Sequence, residues 1–253
     1  MNVTMVSGVG DDELGAKAID ALRSHGVSTT FVQTKANPTG QVFVNLDSQG
    51  RASYEFASNT AWDNLSWSEE LDSHAKQMDA ICFGTLGQRS EESREIIQRF
   101  VTSARADCLR VFDINLRPPF FEEASILESL RLANVLKMSD EELPMLQKLC
   151  GCNGSDVDVM NDLARRFELI VVALTRGPDG ATLIREGEKS IQSGVPCKLV
   201  DTVGAGDAFT AALVLGLLNG QDLDEINKSA CEVASFVCSQ SGATPVLPDR
   251  FSF

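Results

Sequence analysis

The sequence predicts an α/β protein built on a mainly parallel sheet, and three observations carry that prediction. Strand-like apolar runs alternate with amphipathic helical stretches nearly throughout the 253 residues, as expected of strands joined by crossover helices. One run, Leu169 to Leu174, is wholly apolar, as a strand buried on both faces requires. A single stretch breaks the rhythm: Gln41 to Phe56 reads as an antiparallel hairpin with one wet face, a small β insertion in an otherwise alternating chain.

The elements follow in order. Val3 to Ser7 is a strand, and Glu13 to Ser24 a helix with Leu14, Ala18 and Leu22 on one face. Asp11 or Asp12 is available as its cap, Gly26 ends it, and Val27 to Val32 returns as a strand. In the hairpin, Asp47-Ser48-Gln49-Gly50 forms the turn and Ala52 to Phe56 the return strand. Ala80 to Gly84 is the next strand. Glu91 to Ala106 is a helix that buries Ile96, Ile97, Phe100, Val101 and Ala104. Leu109 to Asp113, Ser125 to Leu132 and Val135-Leu136 read as strand, helix and short strand. A helix begins near Ser139, although Pro144 sits awkwardly five residues into it. Ala181 to Ile184 with Lys189 to Gln192 form a hairpin, Asp207 to Asn219 an apolar helix and Leu223 to Ser239 an amphipathic one. With no internal repeat or linker, residues 1–253 are expected to form one domain, with residues 32–61 as a small β lid.

Composition narrows the function. A net charge of -14 argues against nucleic acid or an anionic membrane as partner, since both need a basic footprint. ATP stays open, because local amides, a cation and one or two basic side chains bind phosphate within an acidic protein. The longest apolar run, Ala211 to Leu218, is too short to span a bilayer. The N-terminus carries no signal-peptide pattern, so a cytoplasmic location is expected. Seven scattered cysteines and two distant histidines do not make a zinc site; the cysteines read as reduced thiols packed as small apolar residues.

The strongest local signal is Asp201-Thr202-Val203-Gly204-Ala205-Gly206-Asp207. Two glycines around an alanine let the backbone turn tightly and present consecutive N–H groups where a helix starts, which makes an anion site. Asp207 reads two ways there: as a base that takes a proton from an alcohol, or as a cap of its helix. Ser139-x-x-Glu142 fits a capping box. Asn115 and Arg117 follow a strand end, where α/β sheets carry ligand loops, and a salt-bridged Arg117 is the alternative. Trp62 and Trp67 read as packing residues. There is no P-loop and no protein-kinase signature, and Gly8-Val9-Gly10 lacks the third glycine of a dinucleotide fingerprint.

Asp201 to Leu215 resembles the second signature of the ribokinase-like, PfkB-type carbohydrate kinases. The resemblance extends to Gly8 to Gly15, to Thr39-Gly40 with the hairpin, and to Phe112 to Pro118, the last most like the fructokinase subgroup. It continues through Leu136 to Leu143, Thr175 to Gly180 and Ser241 to Pro245. It implies a three-layer ribokinase-like fold with a small β lid, and ATP-dependent phosphorylation of a hydroxymethyl group on a small sugar, fructose first. Asp207 would be the base, with the amides of Gly204, Ala205 and Gly206 around the developing anion. Lys137, Thr175, Gly177 and Gly206 would meet the nucleotide, Asn115 and Arg117 the phosphate and substrate side. Glu142 would organise Mg2+ through water, and Asp201, Thr202 and Ala243 lie where some relatives hold K+. A homodimer through the lid or an open sheet edge is the expected assembly.

One departure stands out. Members of the family open with a strand, an acidic residue that meets the sugar and a Gly-Gly-x-x-Asn segment, and no Gly-Gly dipeptide occurs here. The resemblance therefore implies a chain lacking the family's first few tens of residues. Two further readings follow: a nucleotide-binding remnant impaired in catalysis, or a kinase for a nucleoside or another small alcohol.

Overall fold

The computed structural model describes residues 1–46 and 52–251. The chain divides into two compact units, one of Met1–Gln77 with Gly87–Ala104, the other of Met78–Leu86 with Arg105–Phe253. The first unit carries β1 (Thr4–Gly10), α1 (Glu13–Ser24), β2 (Ser28–Lys35), β3 (Val42–Leu46), β4 (Ala52–Phe56), α2 (Glu69–Ala75) and α3 (Glu91–Thr102). Strands β1 and β2 pair in parallel, with α1 as the crossover. Its cap is Asp12, whose carboxylate accepts from the Gly15 amide at 2.7 Å, one of the two candidates the sequence offered. Strands β3 and β4 form the expected antiparallel hairpin, Val42 opposite Phe56 and Leu46 opposite Ala52. The turn expected at Asp47 to Gly50 lies outside the described residues. Val42 and its neighbour Phe43 are both exposed, so this strand does not show the single wet face that its alternation suggested.

A buried ion pair organises this unit. Arg89 Nε and Nη2 each donate to an oxygen of Asp63 at 2.7 Å. Asp63 also accepts from the Thr60 amide and hydroxyl, both at 2.9 Å, capping the short 3-10 turn Ala61–Asp63. The Trp rings face cations: the Arg89 guanidinium lies 5.3 Å from the Trp62 ring centre and that of Arg99 lies 4.2 Å from Trp67.

The second unit is built on a six-stranded sheet of order β10-β9-β8-β7-β6-β5. Its elements are β5 (Ala80–Phe83), β6 (Leu109–Asp113), α4 (Glu123–Leu132), β7 (Val135–Ser139), α5 (Leu143–Cys150), α6 (Asp156–Phe167), β8 (Val171–Thr175), β9 (Ala181–Arg185), β10 (Glu188–Gln192), α7 (Ala205–Leu218) and α8 (Leu223–Cys238). Strands β5 to β8 run parallel, while β9 and β10 return antiparallel as the expected hairpin. Successive side chains point to opposite faces of a strand, and two cores result. Phe112, Leu136, Met138, Val172 and Leu174 pack with α4, α5 and α6. Val111, Val135, Val171, Ala173 and Leu183 pack with α7 and α8. Helices α7 and α8 meet closely because residue 216 is glycine: a Cβ there would stand 2.6 Å from Ile226 Cγ1.

Two local expectations change. The helix expected near Ser139 begins at Leu143, and β7 extends through Ser139. Pro144 thereby falls in the first turn, where its missing N–H is not needed. The alternation read from the sequence also passes over two helices, α2 and α6, though in α6 Ser155 and Asp158 form a capping box and Val159, Met160, Leu163 and Phe167 are buried along one face. Of the seven cysteines, all free, Cys108, Cys150, Cys152 and Cys231 are buried, Cys238 is half-buried, and Cys82 and Cys197 are exposed.

The Asp63 pair sets an acid dependence. Burial raises the Asp63 carboxyl, but the Arg89 guanidinium and the Thr60 donors outweigh it and hold the group below its usual value. A depressed carboxylate contributes stability that is present above the unfolded-state pKa and is lost as pH falls through the folded one. Both tryptophans lie in this unit, so their fluorescence follows its unfolding. Asp63→Asn is expected to lower the urea midpoint near neutrality and to flatten the wild-type fall below about pH 4. Arg89→Ala is expected to cost about 3–5 kcal/mol, because it strands a buried carboxylate.

Candidate active site

The candidate catalytic, nucleotide, substrate and metal residues lie in the second unit: Lys137 within β7, Asn115, Arg117, Glu142, Thr175 and Gly177 at or after the carboxyl ends of β6, β7 and β8, and Gly204 to Asp207 at the start of α7. That common edge follows from parallel pairing: Asp113 stands opposite Lys137, and Ser139 opposite Thr175. Carboxyl ends of parallel strands are where α/β sheets place ligand loops.

The first turn of α7 has the geometry of an anion site. Gly204 is its N-cap at φ 81°, a left-handed conformation suited to glycine, and a Cβ there would lie 2.5 Å from the Ala243 carbonyl oxygen. Asp201 stitches the flanking loops, accepting from the Val203 amide at 3.0 Å and the Gly242 amide at 3.2 Å; these backbone donors hold its carboxyl below the usual range. The Ala205 amide donates to Thr202 O at 3.3 Å. That bond takes up one of the three amides expected around the anion; the Gly204 and Gly206 amides, and that of Asp207, have no acceptor among the described residues, as expected at a helix start. The Asp207 side chain is exposed and makes no hydrogen bond to its own helix start among the described residues, unlike the caps of α1, α3 and α8.

Behind this turn lies a buried polar cluster. Lys137 Nζ is 3.0 Å from Asp113 Oδ1, and both side chains are almost wholly buried. The Thr210 hydroxyl is 2.8 Å from Asp113 Oδ2 and 3.1 Å from the Gly206 carbonyl. A methyl added at Gly206 would stand 3.1 Å from Lys137 Nζ, so the ammonium sits directly against the helix start. Burial pushes the Asp113 carboxyl above its usual value, although Lys137 and Thr210 oppose the shift.

Glu142, a metal-linked candidate from the resemblance, is buried and bridges two loops. Its Oε1 accepts the Leu116 amide at 2.7 Å and its Oε2 the Ser139 amide at 2.7 Å. The second contact is one half of the capping box that the sequence suggested, and the first spans 26 residues. Among the described residues no three His, Cys, Asp or Glu side chains gather into a metal-binding group.

Asn115 follows β6 in a left-handed conformation, φ 45°, and the Thr85 hydroxyl reaches the Ile114 and Asn115 carbonyls at 2.8 and 3.2 Å. Arg117 is half-buried and donates to Leu116 O at 2.9 Å; it makes no salt bridge among the described residues. Thr175 ends β8, its carbonyl accepting the Asp140 amide at 2.9 Å, and Gly177 opens the following 3-10 turn. The structure thus draws Lys137 and Gly206 together and ties Glu142 to the loop that carries Asn115 and Arg117. No hydrogen bond joins Asn115 or Arg117 to Asp207 or Lys137 among the described residues. Asp113 and Thr210 were missed as functional candidates. Asp113 was legible as a lone acid closing an apolar strand, whereas nothing in the sequence marks Thr210 as its partner.

Comparison with known proteins gives the family and the fold. Residues 1–250 match the pfkB family of carbohydrate kinases. The chain is 29% identical to a fructokinase of Escherichia coli, over 96% of this chain and 81% of that protein, and 30% identical to a fructokinase of Klebsiella pneumoniae, over 95% and 81%. Among solved structures it resembles an uncharacterized sugar kinase from Pyrococcus horikoshii in complex with ATP, at 27% identity and a TM-score of 0.81 over 96% of this chain and 79% of that one. A fructokinase from Xylella fastidiosa has a TM-score of 0.85 at 20% identity over 95% and 80%. The α/β fold is the ribokinase-like one.

The Glu142 bridge yields a stability test. Glu142→Ala removes the acceptor for two backbone N–H groups, each costing about 1–3 kcal/mol when left unmet. Urea unfolding followed by far-UV circular dichroism should place Glu142→Gln between wild type and Glu142→Ala, since the amide keeps one acceptor oxygen.

Proposed function

The chain belongs to the pfkB family of carbohydrate kinases, and we propose that it transfers the γ-phosphoryl group of ATP to a primary hydroxyl of a small sugar, with fructose as the preferred acceptor. The observation that carries this reading is the α7 start: three amides without an acceptor among the described residues, a buried ammonium against the turn and an exposed carboxylate on it. Phosphoryl transfer needs positioning and charge stabilisation more than covalent chemistry, and this turn offers both. Asp207 takes the proton of the sugar hydroxyl as its oxygen attacks. The amides of Gly204 and Gly206, joined by that of Asp207 and the α7 dipole, hold the charge that develops on the transferring group, and Ala205 helps to fix the turn through Thr202. Lys137, Thr175 and Gly177 meet the nucleotide, and Asn115 and Arg117 face the phosphate and acceptor.

A magnesium ion fits here as one carried by the phosphates with its own water shell, since the described residues form no all-protein cage. Each Glu142 oxygen accepts one backbone N–H and keeps a second lone pair, so Glu142 can hold a water of that shell. The ion's contribution is to neutralise phosphate charge. A potassium ion at Asp201, Thr202 and Ala243 belongs to the same reading. So do residues 1–253 as one kinase domain with 32–61 as its lid, a homodimer through the lid or a sheet edge, and cytoplasmic residence. Among the described residues no helix is long and apolar enough to cross a membrane.

A coupled assay for ADP release, run with fructose, ribose, other ketoses and nucleosides, tests the reading. Sugar-dependent turnover is expected, fructose giving the highest kcat/KM. Asp207→Asn should lower kcat by about 10²–10⁴-fold, the range typical of a lost general base, with an unchanged melting temperature because the side chain is exposed. Wild-type turnover no higher than that of Asp207→Asn would refute the proposal, and a preference for nucleosides would reassign the acceptor.

A further inference from the structure

We infer that Asp113 and Thr210 are positioning residues for the anion-binding turn: Asp113 fixes the Lys137 ammonium against Gly206, and Thr210 links Asp113 to the first turn of α7. The inference rests on the kinase reading for its kinetic consequences, but on geometry alone for the positioning itself. Asp113 divides its two oxygens between two jobs, Oδ1 for Lys137 at 3.0 Å and Oδ2 for Thr210 at 2.8 Å. The Thr210 side chain also lies 3.1 Å from the Gly206 carbonyl. A hydroxyl carries a single proton, and here it faces two acceptors, one on the sheet and one on the helix. The strand end, the ammonium and the amide turn therefore form one connected unit.

Packing explains why this connection matters. A four-carbon lysine stem is flexible, and an ammonium held by nothing would seek water. With Lys137 buried, its direction is set by the Asp113 carboxylate, its ion-pair partner among the described residues. The residue at 206 is glycine, and the ammonium occupies the space a Cβ would crowd. A carboxylate displaced by one ångström would carry the ammonium away from the turn, and losses of that size from misplaced groups are ordinary in catalysis. The pair is costly to bury and contributes little to stability by itself. Its placement against the first turn of α7, built on Gly204 and Gly206, gives it a purpose that stability does not.

The test uses the full chain and four variants: Asp113→Asn, Thr210→Val, Thr210→Ser and Leu163→Ala. Asp113→Asn keeps the shape of the side chain, so a folded protein is expected. Thr210→Ser keeps the hydroxyl and serves as the conservative rescue. Leu163 is fully buried in the core between the sheet and α6, so Leu163→Ala lowers stability without touching the cluster. Two measurements are made on each. In amide NMR spectra, the Gly206 and Asp207 resonances should move in Asp113→Asn and Thr210→Val and stay at wild-type positions in Thr210→Ser and Leu163→Ala. In the kinase assay, Asp113→Asn and Thr210→Val should lose about 10–100-fold in kcat while KM for ATP stays within about threefold, the pattern of an interaction realised in the transition state. Thr210→Ser should recover to within about threefold.

The outcomes separate. Unmoved Gly206 and Asp207 resonances in Thr210→Val would overturn the positioning role whether or not the protein turns over a sugar. Equal losses in Leu163→Ala would overturn it too, by reducing the effect to general stability. Absence of wild-type turnover alongside the expected resonance shifts would refute the kinase reading and leave the positioning role supported.

Discussion

Parallel pairing of β6, β7 and β8 is the constraint on which the second unit depends. Parallel strands need crossover connections, and those connections cover both faces of the sheet. Alternate side chains then enter two separate cores, Phe112, Leu136 and Val172 on one side and Val111, Val135 and Val171 on the other. Because the strands run the same way, their carboxyl ends gather at one edge, and the loops that follow them are neighbours. Pairing places Lys137 and Thr175 in neighbouring strands and brings the segments that carry Asn115 and Glu142 to that edge.

Polar groups at this edge do what apolar packing cannot: they fix loops relative to strands. Glu142 holds the Leu116 and Ser139 amides with one carboxylate. Asp201 holds those of Val203 and Gly242. Asp113 holds Lys137 and Thr210. In each case one acid with two oxygens joins two segments, and the two buried ones, Glu142 and Asp113, must be satisfied if they are to be tolerated. The turn between Asp201 and Asp207 is thereby rigid on its loop side and on its sheet side. Preorganised donors of this type are what charge stabilisation in a transition state calls for, so the proposed chemistry and the observed bracing have the same geometric origin.

The differences between the sequence pattern and the structure have identifiable causes. Ser139-x-x-Glu142 looked like the start of a helix, because a Ser followed by Glu three residues on is a capping signal. The Glu142 carboxylate does reach the Ser139 amide, yet its other oxygen is drawn to Leu116, and the strand keeps Ser139 in its register with Thr175. Pro144 was the residue that pointed to the later start. Helix α6 carried a legible cap and an apolar stripe, but lay between a cysteine-rich segment and a strongly apolar strand that dominated the local pattern. The hairpin at β3 and β4 was legible from alternation, while the exposure of both Val42 and Phe43 was not.

The sequence by itself determined the α/β class, the strands, the helices other than α2 and α6, and the Gly204 to Asp207 turn at the head of an apolar helix. Each of these is written in short-range terms: hydrophobic period, a glycine that permits a left-handed backbone, an acid at a helix start. Only the tertiary structure decided that Asp113 and Thr210, 97 residues apart, share a hydrogen bond, and that Lys137 lies against Gly206. It also decided that the Glu142 carboxylate staples two loops. Such contacts depend on which strands pair and in what register, and a lone aspartate or threonine carries no local mark of the partner that the fold will bring to it.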